Sequence, residues 1–193
     1  MGTTLEKEVK LACDDLDRIR NAGFDLRLIK ERHFEDNILL DSDDDRLLSQ
    51  GAALRIRTVG GRGLVTYKGV VRAGDSPVKI REELESEATE PERVREIFDR
   101  LGYRPSFRYQ KYRTVYALLL DGSELEVTFD ELPIGNFIEI EGDEEKIERV
   151  LEAVGFSEGD IIRESYPELQ AALCKARGVP LEDLIFRDHP TGL

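Results

Sequence analysis

The sequence predicts an α+β fold that is mainly β: an eight-stranded antiparallel β-barrel, closed on itself, with helices around its outside. Three observations predict it. About eight segments alternate apolar and polar residues with the two-residue period of strands, and turn residues bound them. Too few helical segments lie between them to serve as parallel crossovers, so neighbouring strands should run antiparallel, and closure is the usual way for such a sheet to lose its edges. In nearly every strand the charged residues share one parity and are grouped by sign, which an ordinary apolar barrel interior does not require.

Thr4 to Leu11 alternates strictly, with Glu6, Glu8 and Lys10 on one face and Leu5, Val9 and Leu11 toward the other. Asp14 to Ala22 reads as a short helix, started by Asp14 and Asp15 and closed by Gly23. Leu26 to Asp41 holds one or two strands whose apolar residues are Phe34, Ile38, Leu39 and Leu40. A helical turn follows, with N-caps offered by Asp41 to Asp45 before Leu47 and Leu48, and Gly51 as its stop.

Ala52 to Val59 and Leu64 to Val71 flank a Gly60-Gly61-Arg62-Gly63 turn, a hairpin in which Arg55, Arg57, Thr66 and Lys68 take alternate positions. Val78 to Ala88 is a strand with Arg81, Glu83, Glu85 and Glu87 on one face. A helix begins near Pro91 and carries Val94, Ile97, Phe98 and Leu101 at helical spacing before Gly102. Strands then run over Phe107 to Leu119, over Ser123 to Glu131 after an Asp121-Gly122 turn, and over Asn136 to Gly142. Their same-parity charges are Lys111 and Arg113, then Glu124, Glu126 and Asp130, then Glu139 and Glu141. Glu144 to Val154 is a helix ended by Gly155, and the tail from Ser165 to Arg177 is a helix with Leu169, Ala172 and Leu173 on one side.

The 193 residues fit a single domain with a helical tail from about residue 165. Acids outnumber bases 41 to 28, a net charge of −13 that repels nucleic-acid phosphate and anionic membranes, so neither is an expected partner. Any anionic ligand needs a local basic cluster or a metal. Cys13 and Cys174 lie far apart and read as reduced packing residues. No apolar run approaches the roughly 18 residues of a membrane span, and no signal peptide opens the chain, so a cytoplasmic location is expected.

Other motifs fail on inspection. Asp41-Ser42-Asp43-Asp44-Asp45 lacks the glycine and glutamate spacing of a calcium loop, and Gly60 to Gly63 lacks the Lys-Ser/Thr of a P-loop. His33 and His189 stand alone, read as surface or packing residues rather than zinc ligands. Tyr166 and Leu173 read as helix packing.

Like charges two residues apart on one strand face repel, and a metal or a phosphate relieves that repulsion. Basic groups to bind a triphosphate are present in Lys10, Arg55, Arg57, Lys68, Lys111 and Arg113, and carboxylates to hold a bridging cation in Glu6, Glu8, Asp130, Glu139 and Glu141. Periodicity alone is equally met by a solvated, charged sheet face.

The motifs themselves carry a family resemblance. Glu6-Lys7-Glu8-Val9-Lys10 resembles the ExExK signature of the CYTH superfamily, the triphosphate tunnel metalloenzymes, which includes class IV adenylyl cyclases, thiamine triphosphatases and inorganic triphosphatases. Further matches follow in order: Leu54-Arg55-Ile56-Arg57, Thr66-Tyr67-Lys68-Gly69, Arg81 with Glu83 and Glu85, Lys111-Tyr112-Arg113, Val127-Thr128-Phe129-Asp130 and Phe137-Ile138-Glu139-Ile140-Glu141. They cover residues 5 to about 170. Leu101 to Pro105, Leu132 to Phe137, and Ser165-Tyr166 with Leu169 look most similar to the class IV cyclase branch.

The resemblance implies a tunnel through the barrel. It implies that Glu6, Glu8, Asp130, Glu139 and Glu141 hold Mg²⁺ or Mn²⁺, and that Lys10, Arg55, Arg57, Lys68, Arg81 and Arg113 bind the substrate. Lys111 is the candidate for a catalytic role, with Glu83, Glu85 and Glu126 as further tunnel residues. The implied partner is a triphosphate-containing small molecule. Water as the attacking group makes the enzyme a triphosphatase, and the ribose 3′-hydroxyl of ATP makes it an adenylyl cyclase, with hydrolysis favoured because a cyclase must also position the ribose. A non-catalytic polyphosphate or nucleotide binder is the remaining reading, which five candidate metal ligands disfavour. A homodimer is the expected assembly.

Overall fold

The structure is a computed structural model that describes residues 4–72, 76 and 78–187. Eight strands run in the order β1 (Thr4–Ala12), β2 (Leu26–Asp41), β3 (Ala53–Val59), β4 (Arg62–Lys68), β5 (Lys79–Ala88), β6 (Arg104–Leu120), β7 (Ser123–Leu132) and β8 (Gly135–Glu141). Every pairing is antiparallel, and the spatial order β1-β5-β4-β3-β2-β6-β7-β8 closes into a barrel, as the alternating pattern predicts. Five helices lie outside it: α1 (Asp17–Asn21), α2 (Arg46–Ser49), α3 (Pro91–Arg100), α4 (Glu144–Val154) and α5 (Tyr166–Arg177).

Local chemistry accounts for most of these bounds. Gly60 and Gly61 adopt φ of 55° and 81°, the mirror-image turn whose twist matches its flanking strands, so β3 and β4 form a tight hairpin. α4 takes its N-cap from the Asp143 side chain, and Ser165 and Glu168 form a capping box at the start of α5. α2 is capped from a distance. The Asp41 carboxylate accepts from the backbone N–H of Leu47 and of Leu48, both at 2.9 Å, while Asp45 itself is left-handed with φ 52°.

Several elements differ from the sequence expectation. α1 starts three residues later than Asp14, because Asp15 turns its carboxylate back to the Asp17 amide and ends the preceding turn there. Residues 26–41 form one long strand, with register shifts against β6 between Leu28 and His33 that reset its parity. β6 begins at Arg104, and β4 stops at Lys68, where Gly69 lies against Glu82. The buried stripe of α5 is Tyr166, Gln170 and Cys174, not Leu169, Ala172 and Leu173, because this helix covers polar groups that a tyrosine hydroxyl and a glutamine amide can reach.

The apolar core lies outside the barrel. Val9, Leu11, Leu118, Leu125, Val127, Ile138 and Ile140 are buried beneath α1 and α4, and Leu40, Leu54 and Ile56 pack with Val94 and Phe98 beside α2 and α3. Each has the parity opposite to the charged residues of its strand, so the charged face points inward. A third cluster continues the inner wall toward one end. Phe107, Tyr109 and Phe137 there meet Tyr166 of α5, with ring centroids 5.9 Å from Tyr109 and 5.3 Å from Phe137. That helix covers this end of the barrel. Beyond α5 the chain returns along the stretch of β6 that β7 leaves uncovered, where Leu184 exchanges backbone hydrogen bonds with Arg108 and Gln110, each at 2.9 Å.

Candidate functional site

The inner face carries two kinds of charged region. In the first, each acid meets a base. Asp130, fully buried, accepts from Lys111 Nζ at 2.8 Å, from Arg113 Nε and Nη2 at 2.6 Å, and from the Tyr166 hydroxyl at 2.8 Å. Glu35 lies beside it on β2, directly across from Lys111, with Lys111 Nζ at 3.7 Å, Arg57 Nε at 3.3 Å and His33 Nε2 at 3.3 Å. Burial pushes Glu35 toward its neutral form, but Lys111, His33, Arg57 and Arg113 together bring it well below the usual carboxylate range. Burial, and then Arg113, make Lys111 less basic than an ordinary lysine.

The substrate-binding candidates extend this region around the wall. Arg55 donates to Thr66 Oγ1 at 3.1 Å, and Thr66 donates on to Glu85 at 2.7 Å. Glu83 sits between Arg55 (3.9 Å) and Lys68 (2.7 Å). Lys68 also reaches both oxygens of Glu6 at 3.0 Å, and Arg81 bridges Glu6 (3.2 Å) and Glu8 (3.6 Å). Lys10 faces Glu139 at 3.7 Å, stacks 4.2 Å from the Tyr166 ring centroid and donates to the Glu164 carbonyl.

The second region is a row of acids. Glu8 on β1 stands directly across from Glu141 on β8, and Glu141 stands directly across from Glu126 on β7. Among the described residues, neither Glu141 nor Glu126 has an ion pair. Burial, followed by repulsion from Glu6, Glu126 and Glu8, raises the Glu141 carboxyl to about 7. Like-charged carboxylates on one sheet face share protons or a cation.

All fifteen predicted site residues therefore lie on the inward parity. Glu85 and Glu126 carry that face out to solvent, while Lys111 and Asp130 are its most deeply buried members. The sequence reading missed Glu35 and Asn37, whose strand it read by its apolar residues. It also missed Tyr109, whose hydroxyl meets Arg55 Nη1 at 3.4 Å, and the contact of Tyr166 with Asp130. The odd parity of His33, Glu35 and Asn37 in β2 is the signal that could have found the first two. His33 joins Glu35, and His189 lies outside the described residues.

Among the described residues no group of three or more Asp, Glu, His or Cys converges closely enough as it stands to hold a metal, since Glu6 and Glu8 are turned to Lys68 and Arg81. The donor chemistry nonetheless fits a hard divalent cation. Glu6, Glu8 and Glu141 offer oxygen ligands from two adjacent strands, and their mutual repulsion is what such an ion relieves. Asp130 and Glu139 stand differently, being engaged by Lys111 and Arg113, and by Arg113 and Lys10.

Comparison with known proteins bears on this arrangement. The CYTH domain model matches residues 4–166. A Methanocaldococcus jannaschii protein named as a candidate adenylate cyclase is 31% identical over 182 residues, covering 86% of this chain and 98% of the relative. Among solved structures, a Pyrococcus horikoshii protein superposes with a TM-score of 0.70 at 27% identity, covering 87% of this chain and 99% of its own. A Hippeastrum protein, named as a candidate adenylyl cyclase with a dominant triphosphatase activity, has a TM-score of 0.60 at 20% identity over 92% of this chain and 99% of its own, a likeness of fold.

Proposed function

Because the chain belongs to the CYTH domain family, we propose that its tunnel takes a triphosphate-bearing small molecule with Mg²⁺ or Mn²⁺ and transfers a phosphoryl group to water. One observation carries this reading. A wall of buried cations faces a row of acids on β1, β7 and β8 in which Glu141 and Glu126, among the described residues, have no base, an arrangement suited to an anion and a cation bound together.

In this reading Glu6, Glu8 and Glu141 hold the metal. The bound ion supplies neutralisation of the charge on bridging phosphate oxygens. Arg55, Arg57, Lys68 and Arg113 grip the phosphates, the arginines by their planar forks. Asp130 and Glu35 act through these cations, fixing Lys111, Arg113 and Arg57 before substrate arrives, so that little reorganisation accompanies the reaction. Lys111, buried and of lowered basicity, can donate a hydrogen bond to a developing oxyanion, which gives it the catalytic role.

Hydrolysis needs no pocket for a base or ribose, and the Hippeastrum neighbour indicates that this fold can carry it. Cyclisation of ATP to cyclic AMP and pyrophosphate is the second reading, favoured by the name of the 31% identical relative. The two are separated by incubating the protein with ATP, inorganic triphosphate and thiamine triphosphate under Mg²⁺ or Mn²⁺ and resolving phosphate, pyrophosphate and cyclic AMP. Phosphate release with no cyclic nucleotide is expected. Cyclic AMP as the main product overturns the hydrolytic assignment, and triphosphate binding without turnover overturns both.

A further inference from the structure

Past α5 the chain completes a strand that the barrel leaves half-paired. β7 joins β6 only from Tyr112 onward, so the stretch of β6 before it has β2 on one side and no barrel strand on the other. The backbone N–H and C=O groups of such an edge need partners. Residues 182–186 supply them. Leu184 lies parallel to Tyr109 and bonds the backbone on either side of it, the Asp183 carboxylate accepts from the Arg108 N–H at 2.9 Å, and the Phe186 N–H donates to Gln110 Oε1 at 3.2 Å. Phe186 then sets its ring 5.3 Å from that of Tyr112. Leu184 is only 2% exposed and packs in the cluster that holds Tyr109 and Tyr166, whereas residues 178–181, which lead to it, are all exposed. The tail is therefore fastened at one place, which can open without opening the barrel.

The place of α5 depends on that fastening. At 12 residues it is too short to be stable by itself, so its docking must hold it. Beyond its own cap, and among the described residues, it makes two side-chain hydrogen bonds: Tyr166 donates to Asp130 from the first turn, and Gln170 Nε2 donates to the Glu182 carbonyl at 3.2 Å from the second. The first reaches the barrel and the second reaches the tail. We infer that residues 182–186 are a strap that fastens α5 over the barrel end and, through the Tyr166 hydroxyl, positions Asp130 and the two cations it holds, Lys111 and Arg113. The fastening belongs to the ligand-free protein, and its effect on turnover rests on the triphosphate reading.

Hydrogen exchange read by mass spectrometry on the full-length, ligand-free protein tests the strap, with Leu184→Ala compared with the parent. Exchange across residues 104–111 and 166–177 should rise about tenfold or more in L184A, the scale of a lost buried leucine, while peptides of β7, β8 and α4 keep the parent's rate. A rise by the same factor in every peptide makes Leu184 ordinary core and overturns the strap, as does unchanged exchange across α5. Should L184A fail to fold, Gln170→Ala, which removes the bond to Glu182, decides the same question: faster exchange confined to α5 and the tail supports the strap, and the parent's rate overturns it. In turnover of inorganic triphosphate with Mg²⁺, L184A should lower kcat about tenfold in the parent and less than about twofold in the Tyr166→Phe background, where the link to Asp130 is already cut, with KM changing less than kcat. Equal losses in the two backgrounds overturn the route through Tyr166. Absence of turnover in the parent overturns the proposed function, and the exchange result still decides the strap.

Discussion

The Asp130 centre and the Glu8–Glu141–Glu126 row lie on the same wall of one barrel and are built by opposite rules. Around Asp130 every carboxylate is matched by a cation or a hydroxyl, and the group is sealed from water. Along the row the carboxylates face each other across neighbouring strands, and Glu141 is held partly protonated at neutral pH. The first region is balanced within itself; in the second, carboxylate faces carboxylate. Together they show how one sheet face can be both scaffold and site, with strand register deciding which acid meets a base and which meets another acid.

The comparison predicts effects of different size and sign. The largest belongs to the balanced region: Asp130→Ala strands Lys111 and Arg113 in the interior and should cost about 3–5 kcal/mol of unfolding free energy in urea. A loss under about 1 kcal/mol would show that the buried network is not what holds this wall. Next comes Glu8→Ala, or Glu6→Ala, which removes a proposed metal ligand. Turnover under Mg²⁺ and Mn²⁺ should fall at least about a hundredfold while the circular dichroism of the barrel persists. Unaltered activity in either variant removes the tunnel assignment.

Glu141→Gln should act in the opposite direction on stability. The carboxyl titrates near 7 when folded and lower when unfolded, so the folded state binds the extra proton and the wild type loses stability as pH rises toward and past 7. The glutamine variant should therefore be more stable than the wild type at pH 8, on the order of 1–2 kcal/mol once solvent screening is allowed for, and no more stable near pH 4. Equal gains at both values would mean that the row carries no charge conflict. The smallest effect belongs to a solvent-exposed end of the barrel wall. Arg27→Ala removes an exposed pair with Glu124 and should change stability by no more than about 0.5 kcal/mol.

Strand parity was legible because a charged interior leaves its imprint at every second residue: Glu6, Glu8 and Lys10, or Lys111 and Arg113, show their face without any neighbour. Pairing was not. Asp130 and Glu141 look alike in the sequence, and only the assembled barrel, with β7 in register on β6, α5 over one end and β8 brought beside β1, gives one three donors and the other two acids. β2 hid its inner face because Glu35 and Asn37 are embedded among Phe34, Ile38, Leu39 and Leu40 and because its bulges break the alternation. Tyr166 was read as packing because its partner Asp130 is 36 positions away, and it serves both roles.

Closure also sets the order in which the molecule can become active during its own synthesis. β1 is bonded on one side to residues 79–83 and on the other to residues 137–141. β1 is thus made before either of its neighbours. Glu6, Glu8 and Lys10 meet their first neighbour only after residues 79–83 are made and their second only after residues 137–141, and contacts this distant in sequence form slowly. A nascent chain stopped before β8 has all its basic residues up to Arg113 and no closed barrel to hold them.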